Sequence, residues 1–259
     1  MNQREQEIVS ALPADLDALP TLRGFRLRGL EMTRLETFID AAFAFAITIL
    51  VIASGQPPEN AETLLHAFRN VPAFIASIAV IATFWRGHWL WSRRFGLEDG
   101  ISILISWCMM VTILIYVYPL RMLFGSMFYY LSAGQLGHAL EVKSALEARA
   151  MFAVYAIGFT ATATEIVLLN WRAWWLREAL RLNTEESAMT RNEMLGWLIP
   201  VAVGLISLTF ALTLPIRYLD WSGWVYFSLA LLTPLSRKVL RRRREEAGRA
   251  RSGEREVGR

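Results

Sequence analysis

Three charged residues stand at the entrance of the apolar stretch RLETFIDAAFAFAITILVIA, which covers residues 34–53. They are Arg34, Glu36 and Asp40, and the uninterrupted apolar part begins only after Asp40. An ionised carboxylate that faces lipid costs about 2.5 kcal/mol or more, so Asp40 is expected to face protein or a water-filled path and to have a partner. Such a carboxylate can clamp two helices together, or it can attract ions and gate their passage. The residues alone leave both roles open.

Four residues that follow Asp40 share one face of a helix. They are spaced three, four and seven residues apart, and they are Phe45, Thr48, Ile49 and Ile52. Much of the remaining helix surface consists of alanines, whose small side chains let neighbouring helices approach closely. The face can therefore pack against other helices or line a pore, and its composition is compatible with either.

The other polar residues do not form a site for catalysis or for metal binding. Glu165 follows the threonine-rich stretch FTATATE and can reach the membrane interface, while the threonines can bond backward to helix carbonyls. His66 and His138 have no metal-like spacing with any acid or thiol, and the sequence holds no phosphate loop and no zinc-helix motif. The single cysteine, Cys108, excludes a disulfide framework. We therefore expect neither an enzyme nor a bound cofactor.

These side chains must be positioned by helices that cross a membrane. The chain has 259 residues, of which 54% are hydrophobic, and its long apolar runs suit helices that cross about 30 Å of hydrocarbon. Six spans are predicted, over residues 38–53, 71–90, 101–123, 150–169, 195–214 and 221–235. The predicted fold class is an all-α integral membrane protein with six transmembrane helices.

The distribution of Lys and Arg predicts the orientation of these spans. If the N-terminus is inside, only five of the 27 basic residues fall in outer loops, and they are Arg69, Arg121, Lys143, Arg149 and Arg217. The first thirty residues also lack the basic start, apolar centre and cleavage site of a signal peptide. Both termini are therefore predicted to be cytoplasmic.

This orientation brings the start of the first span and the end of the second into the same leaflet. Asp40 would then lie near Trp85 and His88, which belong to the stretch TFWRGHWLW. The topology predicts a network on the cytoplasmic side in which Asp40 pairs with His88 or Arg34.

The chain divides into three parts on this interpretation. Residues 1–33 form a cytoplasmic arm, residues 34–238 the transmembrane domain, and residues 239–259 a basic cytoplasmic tail. Because the tail directly follows a span, attraction to anionic lipid headgroups explains its arginines better than nucleic-acid binding does. We expect membrane lipids as partners and no nucleic acid.

Two short motifs resemble those of a known family. The stretch RLETFIDAAFAFAITILVI resembles the signature first helix of the transmembrane protein 175 family, the endolysosomal potassium channels and their prokaryotic relatives. That signature is an Arg, three residues, then Phe-Ser-Asp, and it is matched by Arg34, Phe38 and Asp40. The stretch TFWRGHWLW resembles the end of the family's second helix, where Trp85 and His88 correspond. The six-span layout is similar to that of a single-repeat prokaryotic member.

The resemblance implies a homotetramer whose first helices line a central pore for potassium, in a prokaryotic plasma membrane. Selectivity in the family is attributed to hydrophobic and threonine layers along that helix. Carried onto this chain, the narrowest hydrophobic layer falls at Phe45, the threonine layer at Thr48, and further apolar layers at Ile49 and Ile52. Two positions depart from the family pattern, since Ile39 replaces the signature serine and Phe45 replaces an aliphatic residue at the constriction.

The predicted function is thus a potassium-favouring cation channel, and two other classes stay open. One is a proton-coupled secondary carrier with Asp40, His88 and Glu165 as a relay. The other is a non-conducting membrane scaffold in which the polar network is structural. A channel passes current without a coupled gradient, a carrier saturates and shows coupling, and a scaffold does neither.

Overall fold

The structure is a computed structural model that describes residues 15–52, 58–138 and 144–236, apart from the side chain of His66. A small hairpin of two strands comes first, β1 (Thr21–Leu22) and β2 (Phe25–Arg26). The helices that follow are α1 (Arg34–Ile52), α2 (Ala61–Arg69), α3 (Val71–Phe95), α4 (Gly100–Leu131), α5 (Ala145–Trp175), α6 (Thr184–Thr213) and the short α7 (Trp221–Trp224).

Five of the described helices, α1 and α3 to α6, are long and apolar enough to cross a membrane. At about 1.5 Å per residue, the 19 residues of α1 extend about 28 Å, which is slightly less than the hydrocarbon thickness of about 30 Å. Contacts between their ends show that the helices alternate in direction. The start of α1, α4 and α6 meets the end of α3 and α5 at one side of the bundle, called the arm end below; the opposite side is the far end. The all-α, multi-pass prediction is confirmed at this level.

The helices continue past the apolar stretches from which the spans were predicted. The third span was expected to end at residue 123, yet α4 runs on to Leu131. The fifth was expected to begin at residue 195, yet α6 begins eleven residues earlier, at Thr184. There the Asn183 side chain accepts from the Glu186 backbone N–H at 2.8 Å, and the Glu186 carboxylate accepts from the Asn183 N–H at 3.1 Å. This capping box starts the helix in polar sequence, because capping depends on hydrogen bonds and not on hydrophobicity.

The sixth predicted span is less regular than the other five. Its described residues form α7, a 3₁₀ turn (Val225–Phe227) and further helical residues 228–236. They are not among the helices long and apolar enough to cross a membrane. The last residue of the first predicted span, residue 53, and the predicted tail, 239–259, lie outside the described residues.

The main core lies between α1, α3, α4 and α5. Phe84 of α3 is fully buried there, with its ring 5.4 Å from that of Phe159 and 5.9 Å from that of Trp197. The buried side chains that α1 contributes are Ile39, Phe43, Ala46 and Leu50. α1 is therefore fixed in its subunit by one apolar face.

The described part of the arm, residues 15–33, folds against the helix ends. Arg23 and Gly24 both have positive φ, 55° and 81°, as a two-residue hairpin turn of the primed type requires. The turn directs Phe25 into a second core cluster, where its ring meets that of Phe95 edge-on at 5.4 Å. The hairpin thus docks on the arm end of α3, and the arm is attached to the bundle.

An ionic contact holds the arm to α6 as well. The carboxylate of Glu186 is fully buried and pairs with Arg26 and Arg28, each at 2.9 Å. The hydrogen bond to Glu186 raises the pKa of Arg26 above its ordinary value, more than burial lowers it. Because Arg28 is also almost fully buried, this pair has exchanged water for protein contacts on both sides.

The far end is held together mainly by hydrogen bonds to the backbone. Arg149, at the start of α5, donates to the carbonyls of Ala211 and Leu214 at 2.9 and 2.5 Å. These carbonyls belong to the last turn of α6 and to its C-cap residue, where no helical N–H is available to them. The Gly137 N–H donates to the carbonyl of Arg69 at 2.8 Å, which ties the loop after α4 to the end of α2.

Candidate functional site

One face of α1 is left uncovered by the described residues of the subunit. Phe45 is 56% exposed and Ile52 is 69% exposed, although both are large and apolar. Phe38 and Thr48 are exposed on the same side, and Ala41 and Ala44 keep the surface between them low. We call Phe38, Ala41, Ala44, Phe45, Thr48 and Ile52 the open face. Apart from the adjacent Ala44 and Phe45, its members recur every three or four residues, opposite the side chains that pack into the core.

The predicted stripe falls on the open face except at one position. Phe45, Thr48 and Ile52 belong to the open face, whereas Ile49 is half-buried and packs against the core at its edge. The Thr48 hydroxyl donates to the Ala44 carbonyl at 3.1 Å. This bond uses the hydroxyl proton, so the oxygen keeps its lone pairs for another partner.

Asp40 has a partner on α3, as the cost of a carboxylate in this position requires. The indole Nε1–H of Trp85 donates to Asp40 Oδ1 at 2.8 Å. Both side chains are partly exposed, so the bond sits beside the open face and close to the arm end of α1. The expected tie between α1 and α3 exists, and its donor is the indole.

The structure does not bring Asp40 together with His88 or Arg34. Among the described residues, Asp40 makes no hydrogen bond or ion pair with either of them. His88 is fully buried and its Nε2 lies 3.1 Å from Ser106 Oγ on α4, while its ring tilts against Trp91 at 5.7 Å. The topology placed Asp40 and His88 in one leaflet, but it carried no information on the direction in which each side chain leaves its helix. His88 turns toward α4, and Trp85, three residues earlier, turns toward α1.

A second carboxylate of α1, Glu36, forms an ion pair that was not predicted, although the residue was noted at the entrance of the first span. Its buried side chain pairs with Arg93 Nε of α3 at 3.2 Å. Arg93 also donates to the carbonyls of Gly29 and Leu30 at 3.1 and 3.3 Å, so one guanidinium joins the arm, α1 and α3. A signal was present in the sequence: Glu36 precedes Ile39 and Phe43 by three and seven residues, which places it on the buried face.

Glu165, the other intramembrane carboxylate, lies apart from α1's open face. Thr112 of α4 donates to its Oε1 at 2.8 Å, and its side chain is mostly buried. Across residues 15–52, 58–138 and 144–236, no three His, Cys, Asp or Glu side chains are grouped so that they could hold a metal ion. The candidate functional site is therefore the open face with its two carboxylate ties to α3.

Together, these features define a multi-pass helical membrane protein whose first helix presents an unpartnered, largely apolar face. Comparison with known proteins identifies a family within this class. The family model of the endosomal/lysosomal potassium channel TMEM175 matches residues 34–119, a range that contains α1, α2, α3 and most of α4. A potassium channel of Marivirga tractuosa is 33% identical over 222 residues, which are 78% of this chain and 85% of the relative.

A solved structure has the same fold. It is the crystal structure of a threonine-to-alanine variant of the potassium channel MtTMEM175 in complex with a nanobody–MBP fusion protein. The two chains are 29% identical and match with a TM-score of 0.74, over 86% of this chain and 100% of the other. The chain belongs to the TMEM175 family, and the resemblance noted in the sequence is confirmed.

Proposed function

We propose that four copies of this chain surround a central pore lined by the open face of α1 and pass potassium ions passively. One observation carries the proposal: α1 packs one face into its subunit and leaves Phe45 and Ile52 uncovered on the other. A fourfold assembly would place the open faces of four helices around one axis. The Marivirga tractuosa relative, itself a potassium channel, supports potassium as the permeant ion.

The chemistry of the open face suits such a pore. Four Phe45 rings at one level would form an apolar constriction, and such constrictions gate by excluding water. Thr48 lies one turn further, and its oxygen lone pairs can face a partly dehydrated cation because its proton is already donated to Ala44. Ile52 would add an apolar layer toward the far end, whereas Ile49 packs against the core at the edge of the open face.

The two carboxylates give the entrance its rigidity and its charge. Glu36 is buried, pairs with Arg93 and fixes α1 against α3. Asp40 is half-buried and held by Trp85, so four Asp40 carboxylates would raise the local concentration of cations at the mouth of the pore. No catalytic reaction and no bound cofactor are part of this proposal.

The proposed topology has six spans, with both termini on the cytoplasmic side of a prokaryotic plasma membrane. The arm end is then cytoplasmic, and the arginines of the tail attract anionic headgroups there. Single cysteines at Glu98 and Glu62, in a Cys108→Ser background, test the orientation because both positions are exposed. Glu62→Cys should label from outside, and Glu98→Cys only after permeabilisation. The reverse pattern would overturn the orientation.

The function is tested by flux from liposomes that contain the purified full-length chain. The wild type should pass potassium down its gradient without a coupled ion, and more readily than sodium. Phe45→Ala should raise the resting flux and reduce the preference for potassium, because the apolar ring is lost. Phe68→Ala is the matched control, since Phe68 of α2 is 58% exposed but lies outside the open face.

Three results would contradict the proposal in different ways. Saturating flux that requires a proton gradient would favour a carrier, and absence of flux in a folded protein would favour a scaffold. Unchanged flux and selectivity in Phe45→Ala would remove Phe45 from the pore. Oxidation of Thr48→Cys should also cross-link subunits, because four copies would meet at one level; exclusively monomeric protein would argue against a pore at α1.

A further inference from the structure

At the far end, two charged and two aromatic side chains line one open cavity of about 390 Å³. They are Arg217, Asp220, Trp221 and Trp224, and we call this cavity the headgroup site. Its volume falls within the range of about 300–1,000 Å³ that small-molecule sites occupy. The pore proposed above uses none of these residues.

The backbone under the site is held by packing. Leu219 and Ser222 are buried, and the Ser207 hydroxyl of α6 donates to the Ser222 carbonyl at 2.7 Å. A side chain at Gly223 would meet the ring of Phe152 at 3.2 Å, so this turn lies directly against α5. The four lining side chains thus project from a segment whose alternate residues are anchored in the protein.

Both charges of the site are available to a ligand. Within the described part of the chain, neither Arg217 nor Asp220 takes part in an ion pair or a side-chain hydrogen bond. The Arg217 guanidinium carbon lies 4.7 Å from the centroid of the Tyr218 ring. This contact with the ring face does not use the N–H donors of the guanidinium. Asp220 occupies the position before α7, yet its carboxylate does not cap the helix. One unused donor group and one unused acceptor group therefore face the same cavity.

The position of the site favours a lipid. α6 extends about 45 Å, so the turn that follows it lies across the membrane from the docked arm. Trp221 and Trp224 are 59% and 42% exposed there, as expected for tryptophans at the level of lipid headgroups. Phospholipid is the abundant molecule at this depth of a membrane.

We infer that Arg217, Asp220, Trp221 and Trp224 bind the headgroup of a zwitterionic phospholipid that carries a phosphodiester and a primary ammonium, as in phosphatidylethanolamine. Arg217 donates to the phosphodiester oxygens. Asp220 accepts from the ammonium, and the tryptophan faces attract the same cation. A glycerol headgroup would offer no cation to Asp220, and a choline headgroup has no N–H to donate. The inference rests on the chain being a membrane protein and does not require that it conduct potassium.

The test measures lipid binding to the purified full-length protein by native mass spectrometry, with dioleoyl phosphatidylethanolamine, phosphatidylglycerol or phosphatidylcholine added singly. The wild type should bind the ethanolamine lipid about fivefold more tightly than the other two, a factor typical of one accessible charge contact. Asp220→Asn should remove this preference without weakening the binding of phosphatidylglycerol. Arg217→Gln should weaken the binding of all three phospholipids.

Matched controls are available at the arm end, where Glu98 and Arg191 are exposed and have no described partner. Glu98→Gln and Arg191→Gln should keep the wild-type preference. Equal binding of the three lipids by the wild type would mean nonspecific adhesion and would overturn the inference, as would a preserved preference in Asp220→Asn. If Arg217→Gln fails to fold, Arg217→Lys retains the charge and should keep the ethanolamine preference at reduced affinity; a lost preference there contradicts the assignment.

Discussion

The two ends of the helix bundle are stabilised by different interactions. At the arm end, side-chain carboxylates and guanidinium groups form ion pairs between elements distant in sequence, among them Arg28–Glu186, Arg93–Glu36 and Arg172–Asp99. At the far end, Arg149 bonds the final carbonyls of α6, and Gly137 bonds the end of α2. Ion pairs between side chains thus join the elements where the arm docks, and hydrogen bonds to backbone carbonyls join them at the other side.

The difference matters most for α1. Its first turns are held by Glu36 and Asp40 through side chains of α3, whereas Ile52 at its far end is among the more exposed large side chains. Between these ends, the buried side chains Phe43, Ala46 and Leu50 of α1 pack into the apolar core. Specific polar contacts therefore fix α1 at its entrance, and nondirectional apolar packing holds it further along. If α1 lines a pore, the entrance is the part whose geometry is most closely defined.

Among substitutions at the two ends, Glu186→Gln is expected to lower the free energy of unfolding most. The substitution leaves the buried Arg28 guanidinium without its counter-charge, which should lower the free energy of unfolding by about 3–5 kcal/mol. Thermal and SDS-induced unfolding in detergent would measure it. Glu178→Gln is the control, because Glu178 is exposed and its pair with Arg177 at 3.5 Å should contribute less than about 1 kcal/mol. Equal losses in both variants would contradict a stabilising role of the arm contact.

The next effect concerns the pair that joins α1 to α3 and the arm. Arg93→Gln and Glu36→Gln should each cost about 2 kcal/mol, since Arg93 is partly exposed and its pair is less desolvated. In a double-mutant cycle the two losses should not add, because either substitution already breaks the same contact. Arg86, exposed on the same helix, supplies the comparison: Arg86→Gln and Glu36→Gln should be additive. Additivity of the Arg93 pair would argue that the two residues act separately.

At the far end, Arg149→Gln should have a smaller effect. It removes two hydrogen bonds to the last carbonyls of α6, which together contribute about 1–2 kcal/mol. The loss stays small because these carbonyls lie at the helix terminus and no buried charge loses its counter-charge. Arg149→Lys should recover part of the loss through a single bond. Arg69→Gln, an exposed position at the same end, should remain within about 0.5 kcal/mol of the wild type. A loss from Arg149→Gln as large as that from Glu186→Gln would erase the contrast between the two ends.

The smallest effect is expected from the bond between Asp40 and Trp85. Trp85→Phe keeps an aromatic ring and removes one hydrogen bond, at a cost of about 1 kcal/mol, and Asp40→Asn should cost less because the amide oxygen still accepts. Asp40→Leu combined with Trp85→Phe should be little worse than Asp40→Leu alone. Asp40→Leu combined with His88→Ala should instead be additive, because His88 bonds Ser106. Coupling between Asp40 and His88 in the measured stabilities would contradict this assignment.

Much of the architecture was readable in the amino-acid sequence. Five of the six predicted spans coincide with long helices, because the length of an apolar run is set by the thickness of the hydrocarbon. The need of Asp40 for a partner on the next span followed from the cost of an unpaired carboxylate in lipid, and the spacing of Phe45, Thr48 and Ile52 placed them on one face. Each of these inferences depends on local sequence and on the membrane as solvent.

The tertiary structure decided what lies opposite each side chain. The leaflet of Asp40 and His88 was predictable, but only the rotation of α3 about its axis determines that Trp85 reaches α1 while His88 reaches Ser106. The sequence predicted a cytoplasmic arm over residues 1–33 but not its attachment, since the partner of Arg26 and Arg28 is Glu186, about 160 residues away. Contacts of that kind follow from the relative placement of whole helices, which many packing interactions determine together. No single stretch of sequence records that placement, and for this reason the ion pairs of the arm end emerged only with the fold.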